Sequence, residues 1–531
     1  MPRNAAQSMS TKPPSLERRS QPEVDLGLAA SRAAASQWAS TPIGERLDAL
    51  RRWRHSLLAR EGDLRSASPR PSAELISSEL IPLADACRFL ERAAKRLLRR
   101  RRLGRRGRPG WLMGHSAIVE RVPHGAVLII AACIYRLFLA GVQLLQAVAA
   151  GNAVTIKPGA GGTGSALLLK EIVQDAGMPA DLVRVLDEST ATGKSALDAG
   201  FDKVLFTGSA ETGRSVLTAA AQSITPATVE LSGCDAAIVL PGANLQRAAR
   251  AVAFGVALNG GHTCISPRRL LVPRAHEGSM CELLQAELAD RPAAPVSPAT
   301  VARLVALADG TDPSCGGFTE SGDVRPAIYR GLPVAHPLAN ADIFAPLAVV
   351  LPYDDIAEAV AQVNRCPYAL GASVFGPPKD ASRVAEQLEV GSVCINDLIV
   401  PTADPRLPFG GRGESGFGVT RGGEGLLEMT RPRVISRRRG RWQPHLDVPR
   451  PGDDELLAGY LHAAHGATLA ARFGGVRRLV RASRGRRKND HSQRWIRLSC
   501  GPAWPGGGGG GGGAGGRRGG GGAGGAGGGG G

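Results

Sequence analysis

Apolar residues recur at helical spacing across residues 24 to 60 (Leu26, Ala29, Ala33, then Leu47, Leu50, Trp53, Leu57, Leu58), which predicts two amphipathic helices. Ile76 to Leu98 repeats that character. From Ala117 the texture changes. Ala126 to Ala131 and Ala153 to Ile156 are short continuous apolar runs, the pattern of parallel strands buried on both faces. Leu139 to Ala150 between them reads as a crossover helix. Lys203 to Phe206 and Ala236 to Leu240 read as further strands separated by helices, so the predicted class is α/β with right-handed crossovers. A second domain is expected from residue 232 to 409, with Ala372 to Phe375 and Ser392 to Asn396 as its clearest strands.

The ends carry different patterns. Residues 1 to 22 are polar and proline-containing, which predicts a disordered N-terminus. From 441 the chain is basic and of mixed composition, and residues 506 to 531 hold 21 glycines in 26. Polyglycine has no side chains to bury and loses the most backbone entropy on ordering, so 441 to 531 is expected to be a disordered tail.

Composition then sets bounds. A chain of 531 residues with 43% hydrophobic content has ample material for two packed domains. Its nine cysteines are scattered, odd in number and lack Cys-x-x-Cys spacing, which argues against a disulfide framework or zinc site and for a reducing compartment. The N-terminus has no apolar export stretch, and no run approaches the roughly 20 apolar residues of a membrane span. The expected location is cytoplasmic, with no membrane partner. The net charge of +18 concentrates in Arg99 to Arg108 and Arg437 to Arg487. Basic clusters are the footprint of phosphate binding. Aromatic residues are only 4% and do not interleave with these runs as a stacking surface requires, so a nucleic-acid partner is not expected.

Candidate chemistry lies in Asn259-Gly260-Gly261-His262-Thr263-Cys264 and, 34 positions earlier (264 − 230), in Glu230 of Val-Glu-Leu-Ser-Gly. A thiolate can attack a carbonyl carbon and hold it covalently, and a carboxylate in reach can activate the water that releases the acyl group. A cysteine alone is more often a small buried hydrophobe, and a glutamate a solvated charge. The surrounding motifs decide the matter. They are Gly151-Asn152-Ala153-Val154-Thr155-Ile156-Lys157-Pro158, Phe206-Thr207-Gly208-Ser209 with Gly213, Asp342-Ile343-Phe344-Ala345-Pro346, and Pro408-Phe409-Gly410-Gly411 with Ser415-Gly416-Phe417-Gly418.

In that order, over roughly residues 20 to 437, these motifs resemble the aldehyde dehydrogenase superfamily. The resemblance implies a Rossmann-type NAD(P)-binding domain over 23–231, a catalytic α/β domain over 232–409, and a return at 410–440. It also implies a small β arm for oligomerisation, from segments near 110–123 and 425–437, and hence a dimer or tetramer. It implies Cys264 as nucleophile, Glu230 as general base and Lys157 on the adenosine ribose. Gly208, Ser209 and Gly213 would lie at a pyrophosphate-binding helix N-terminus, where free N–H groups favour an anion. Asp342 and Phe344 would meet the nicotinamide ribose, and Asn259 would brace the nucleophile's loop. The implied reaction is oxidation of an aldehyde to a carboxylic acid.

Departures cluster at the reactive end. Ile134, 23 positions before Lys157 (157 − 134), stands where the family supplies an oxyanion asparagine. It cannot donate a hydrogen bond, and losing one such donor costs about 3 kcal/mol. The backbone N–H of Cys264 remains. Arg136 replaces a proline, Ser232 a glycine, His262 a glutamine and Asp342 a glutamate, and the chain between Cys264 and Asp342 looks trimmed around Arg291 to Pro295. After Lys157 the chain reads Pro-Gly-Ala-Gly-Gly, without the acidic residue that many NAD-preferring relatives place against the ribose 2′-hydroxyl, so NAD and NADP both stay open. Two readings follow: a working NAD(P)-dependent aldehyde dehydrogenase, or a catalytically impaired relative that binds dinucleotide or oligomerises without efficient turnover.

Overall fold

A computed structural model describes residues 27–109, 112, 114–439, 446 and 448–499. The expectation for residues 1–22 and for the glycine-rich run lies outside them. The chain divides into two units, residues 1–438 and 439–531.

The first unit is built on two mostly parallel sheets. One has six strands in the order Gly416–Phe417, Ala227–Leu231, Lys203–Gly208, Ala126–Ile130, Ala153–Lys157, Val183–Val185, with only the first antiparallel to its neighbour. Ala126–Ile130 is buried along its whole length, as its unbroken apolar run requires. The helix Phe138–Ala150 is buried on every side and ends at Gly151, whose φ of 104° stops it as only glycine does readily. Its two glutamines are satisfied: Gln143 donates to Thr207, and Gln146 donates to the Gly422 carbonyl and accepts the Arg421 N–H. Leu28–Ser40, Ile43–Ala59 and Ile81–Leu97 form the helices read from the N-terminal periodicity.

The other sheet has seven strands, in the order Cys315–Phe318, Val324–Tyr329, Leu347–Tyr353, Pro267–Pro273, Asp235–Val239, Gly371–Phe375, Ser392–Ile395. After it the chain returns to the first sheet. Gly416 pairs with Glu230, and a Cβ at Gly416 would fall 2.0 Å from the Val229 carbonyl oxygen, so glycine is obligatory there. Thr430–Arg438 then pairs antiparallel with His115–Pro123 over nine residues.

Two expectations change. Residues 425–428 of the segment assigned to the arm belong to the helix Gly422–Glu428, and the strand starts at Thr430. The arm also gains a third strand, Arg101–Leu103, from a run read only as a basic cluster. In the second unit, part of the segment expected to be a disordered tail folds into two helices, Asp453–His465 and Leu469–Ser499. Composition misled because the ordering comes from glycine. A Cβ on Gly459 would sit 2.5 Å from the Leu479 backbone, and one on Gly475 would sit 2.2 Å from that of Ala463, so the two helices meet backbone to backbone. Glu455 and Arg478 pair across them at 2.6 Å.

Candidate active site

Glu230 is the fourth residue of the strand Ala227–Leu231, where the register sets it between Thr207 and Gly416. Its carboxylate is buried. Oε2 accepts the Thr420 hydroxyl at 2.9 Å, and Oε1 has no partner among the described residues. Burial raises the carboxyl pKa, against the opposing pull of the Arg421 guanidinium and the Thr420 hydrogen bond.

Cys264 lies on a loop that the chain enters by a reversal after the helix Leu245–Ala257. Asn259, Gly260 and Gly261 take φ values of 54°, 60° and 78°, three left-handed residues in succession. Asn259 braces the turn by donating to the His262 carbonyl at 2.7 Å. Gly261 is required by packing as well as by φ, since a Cβ would come within 2.3 Å of the Ala345 carbonyl carbon. The fully buried Arg268 ties both sides, donating to the carbonyls of Gly261 at 2.7 Å and Ala345 at 3.0 Å. Tyr135, itself at a strained φ of 44°, pairs its hydroxyl with Thr263 at 2.8 Å. The residue beside the nucleophile is thereby fixed. The thiol is only partly exposed, and its pKa is pushed up to about 12 by burial first and then by the charges of Glu230 and Asp235, with Arg421 opposing.

Both residues line one cavity of about 910 Å³. Its lining includes Lys157, Gly193, Gly208 and Ser209, and with them Glu230, Ser232, Cys264, Ile134, Asp342 and Phe344. Lys157 ends its strand half-buried, and burial lowers its pKa against the pull of Asp187 and Glu188. Ser209 caps the helix Ala210–Gln222, accepting the Thr212 N–H at 3.3 Å. Its side chain is therefore engaged, and the backbone N–H groups of that helix start are what the cavity can offer an anion. Gly213 does not line the cavity. A Cβ there would strike the Leu231 side chain at 2.6 Å, so this glycine lets the helix close on the sheet.

Asp342 is buried, with Oδ1 unpartnered among the described residues. Burial raises its pKa, while Ser232 and Arg268 hold it down. Phe344 lies 6.3 Å from the His262 ring, an aromatic pair beside the Cys264 loop. Ile134 fills its position with carbon and also lines a second cavity of about 690 Å³ that reaches Arg70, Tyr135 and Asn259. The cavity, the helix start and the unpartnered Asp342 oxygen together suit a dinucleotide: backbone N–H groups for an anion and a carboxylate for a hydroxyl.

Sequence reasoning missed Arg421 and Thr420. Arg421 is buried, held at φ 60°, and donates to the Thr402 carbonyl at 2.7 Å. Its guanidinium lies 4.0 Å from the Phe409 ring centre and 5.2 Å from that of Phe138. Its charge is felt by both Glu230 and Cys264. Among 65 basic residues one more arginine gives no signal. Only its place three residues after Gly418, just past the last of the ordered motifs, could have drawn notice.

Comparison with known proteins gives one consistent result. The aldehyde dehydrogenase family model matches residues 10–435. A 4,4'-diapolycopene aldehyde oxidase of Methylomonas sp is 31% identical over 428 residues, 77% of this chain and 80% of that protein. A Pseudomonas aeruginosa protein named "Probable coniferyl aldehyde dehydrogenase" is 33% identical over 391 residues, 70% of this chain and 80% of its own. Among solved structures, the Mycobacterium tuberculosis aldehyde dehydrogenase complexed with NAD+ superposes with a TM-score of 0.71 at 26% identity, covering 77% of this chain and 88% of that one. The NADP-dependent glyceraldehyde-3-phosphate dehydrogenase of Bacillus halodurans C-125, complexed with NADP, gives 0.72 at 28%, covering 77% and 90%.

Proposed function

The chain belongs to the aldehyde dehydrogenase family, and from that premise we propose that it oxidises an apolar aldehyde to the acid through Cys264, with Glu230 as general base. As a member of this family it takes NAD or NADP. The observation that carries the reading is the pairing of Cys264 with a buried carboxylate whose second oxygen has no partner among the described residues, in one cavity.

Glu230, its own pKa raised, is suited to take the thiol proton as the thiolate attacks the aldehyde carbon, giving a thiohemiacetal. The backbone N–H of Cys264 faces the developing oxyanion, and Ile134 contributes nothing there. When bound, the dinucleotide would supply the hydride acceptor needed to oxidise this adduct to a thioester. Glu230, having passed the thiol proton to solvent, then deprotonates the water that attacks the thioester and returns that proton to the departing thiolate, so the acid leaves as the thiol re-forms. Lys157 holds the adenosine end, the helix start after Ser209 the phosphates, and Asp342 a ribose hydroxyl. The apolar walls at Ile130, Ile134, Leu139 and Phe344 favour an aromatic or polyene aldehyde, in keeping with the names of the two relatives.

Ile134 and the high thiol pKa favour a second reading, dinucleotide binding without efficient turnover. Reduced-nicotinamide absorbance with NAD and NADP across aliphatic, aromatic and polyene aldehydes separates the two. Turnover that disappears in Cys264→Ser and rises about a hundredfold in Ile134→Asn, one oxyanion donor regained, establishes the enzyme. Absence of turnover in both the native chain and Ile134→Asn leaves the dinucleotide binder. We also assign the protein to the cytoplasm and to a homo-oligomer. The strand Thr430–Arg438 supports the latter, since it ends its sheet with Val434 and Ile435 exposed.

A further inference from the structure

The helix Leu469–Ser499 carries an apolar stripe that its own hairpin leaves in water. Leu469, Phe473, Val476 and Val480 are 72%, 67%, 47% and 41% exposed, at spacings of four, three and four residues. At about 100° per residue they fall within an arc of roughly 60°. The face that packs on Asp453–His465 is a different one, centred on the buried Gly475, so the stripe is not a loosened core. Five arginines and no carboxylate lie between Leu469 and Arg484. Phe473, Arg477 and Arg481 follow at four-residue steps, as do Val476, Val480 and Arg484, so the arginines border the stripe along the helix axis.

We propose that this unit docks on an anionic lipid surface, with the stripe in the headgroup and acyl boundary and Arg477, Arg481 and Arg484 on lipid phosphates. Charge and shape both select that occupant. A helix with apolar side chains along one line and arginines beside it matches the depth profile of a bilayer interface. Arginine stems bury carbon while the guanidinium pairs with phosphate. Among the described residues no helix is long and apolar enough to cross a membrane, so the segment lies on the surface. A nucleic acid offers phosphates and a base to stack on Phe473, but nothing for Leu469, Val476 and Val480. The inference stands apart from the catalytic reading, since none of these residues belongs to the site.

The full chain is sedimented with phosphatidylcholine vesicles, with and without phosphatidylglycerol. Native protein is expected to pellet only with the anionic vesicles. Phe473→Asp should reduce the bound fraction about tenfold or more. Arg477→Gln with Arg481→Gln should do likewise, at about fivefold per arginine, and should flatten the salt dependence. Circular dichroism and dinucleotide binding by each variant verify that it is folded. The proposal fails if native protein stays in the supernatant with anionic vesicles. It fails if Phe473→Asp pellets as well as native, and it fails if that variant changes hydrodynamic size instead, which assigns the stripe to a second copy. Retention on DNA without vesicle binding overturns it in favour of a nucleic-acid partner.

Discussion

Two parts of the main cavity's lining are built from different materials. With Lys157 come backbone features: a strand end, a helix start capped by Ser209, and Gly193, where a Cβ would come 3.5 Å from Lys157 Cε. With Cys264 come the side chains of Glu230, Ile134, Ser232, His262 and Asp342. Backbone geometry survives most substitutions that keep the fold. A hydrogen-bond donor on a side chain is lost in one. The difference makes the two parts separable by experiment.

Glu230→Gln is the sharpest separation, with the largest expected effect. Removing the base should lower turnover by about two to three orders of magnitude, the usual worth of positioned proton transfer. The same change deletes a negative charge that raises the Cys264 pKa, so the thiol should become easier to ionise. Alkylation by iodoacetamide at pH 8 should therefore speed up, by about tenfold for each unit the pKa falls. Turnover and thiol reactivity moving in opposite directions is the signature. If both fall together, Glu230 is a structural support of the loop.

Arg421→Leu acts with the opposite sign and a smaller effect. With the thiol pKa pushed up to about 12, the thiolate fraction grows about tenfold per pH unit through the neutral and mildly alkaline range, and so should the alkylation rate. Deleting the guanidinium removes what lowers that pKa, so the profile should move to higher pH and the rate at pH 8 fall severalfold. Arg421→Lys keeps the charge and should restore part of it. A loss of rate with no shift along the pH axis means that Arg421 serves packing on Phe409 and Phe138.

Much of this was legible in the chain. Continuous apolar runs gave the parallel strands, because a strand covered on both faces has no polar face to betray. Cys264, Glu230, Lys157 and Phe344 could be picked out because their neighbours are constrained too: glycines where φ is positive, a proline after the strand. What stayed hidden was polar groups doing interior work. Arg268 lies in the strand Pro267–Pro273, where two consecutive arginines argue against burial, yet it is fully buried because three carbonyls receive it. Arg421 was hidden by the abundance of arginine. The helices at Asp453–His465 and Leu469–Ser499 were hidden by composition, since their contact is made by glycines that also read as linker.

Lys157→Ala probes the other part of the lining and should have the most confined effect. A half-buried ammonium at a strand end makes at best a charge-assisted hydrogen bond with the ribose, so its loss should weaken dinucleotide affinity by about tenfold to a hundredfold. Lys157 does not appear among the charges acting on Cys264, so the alkylation profile should be unchanged. Equilibrium binding by intrinsic fluorescence and the iodoacetamide profile, read on the same preparation, test both halves of the statement. A weakened Kd with an untouched profile means that binding and nucleophile activation are independent. A profile that shifts means that the strand end and the Cys264 loop move as one body.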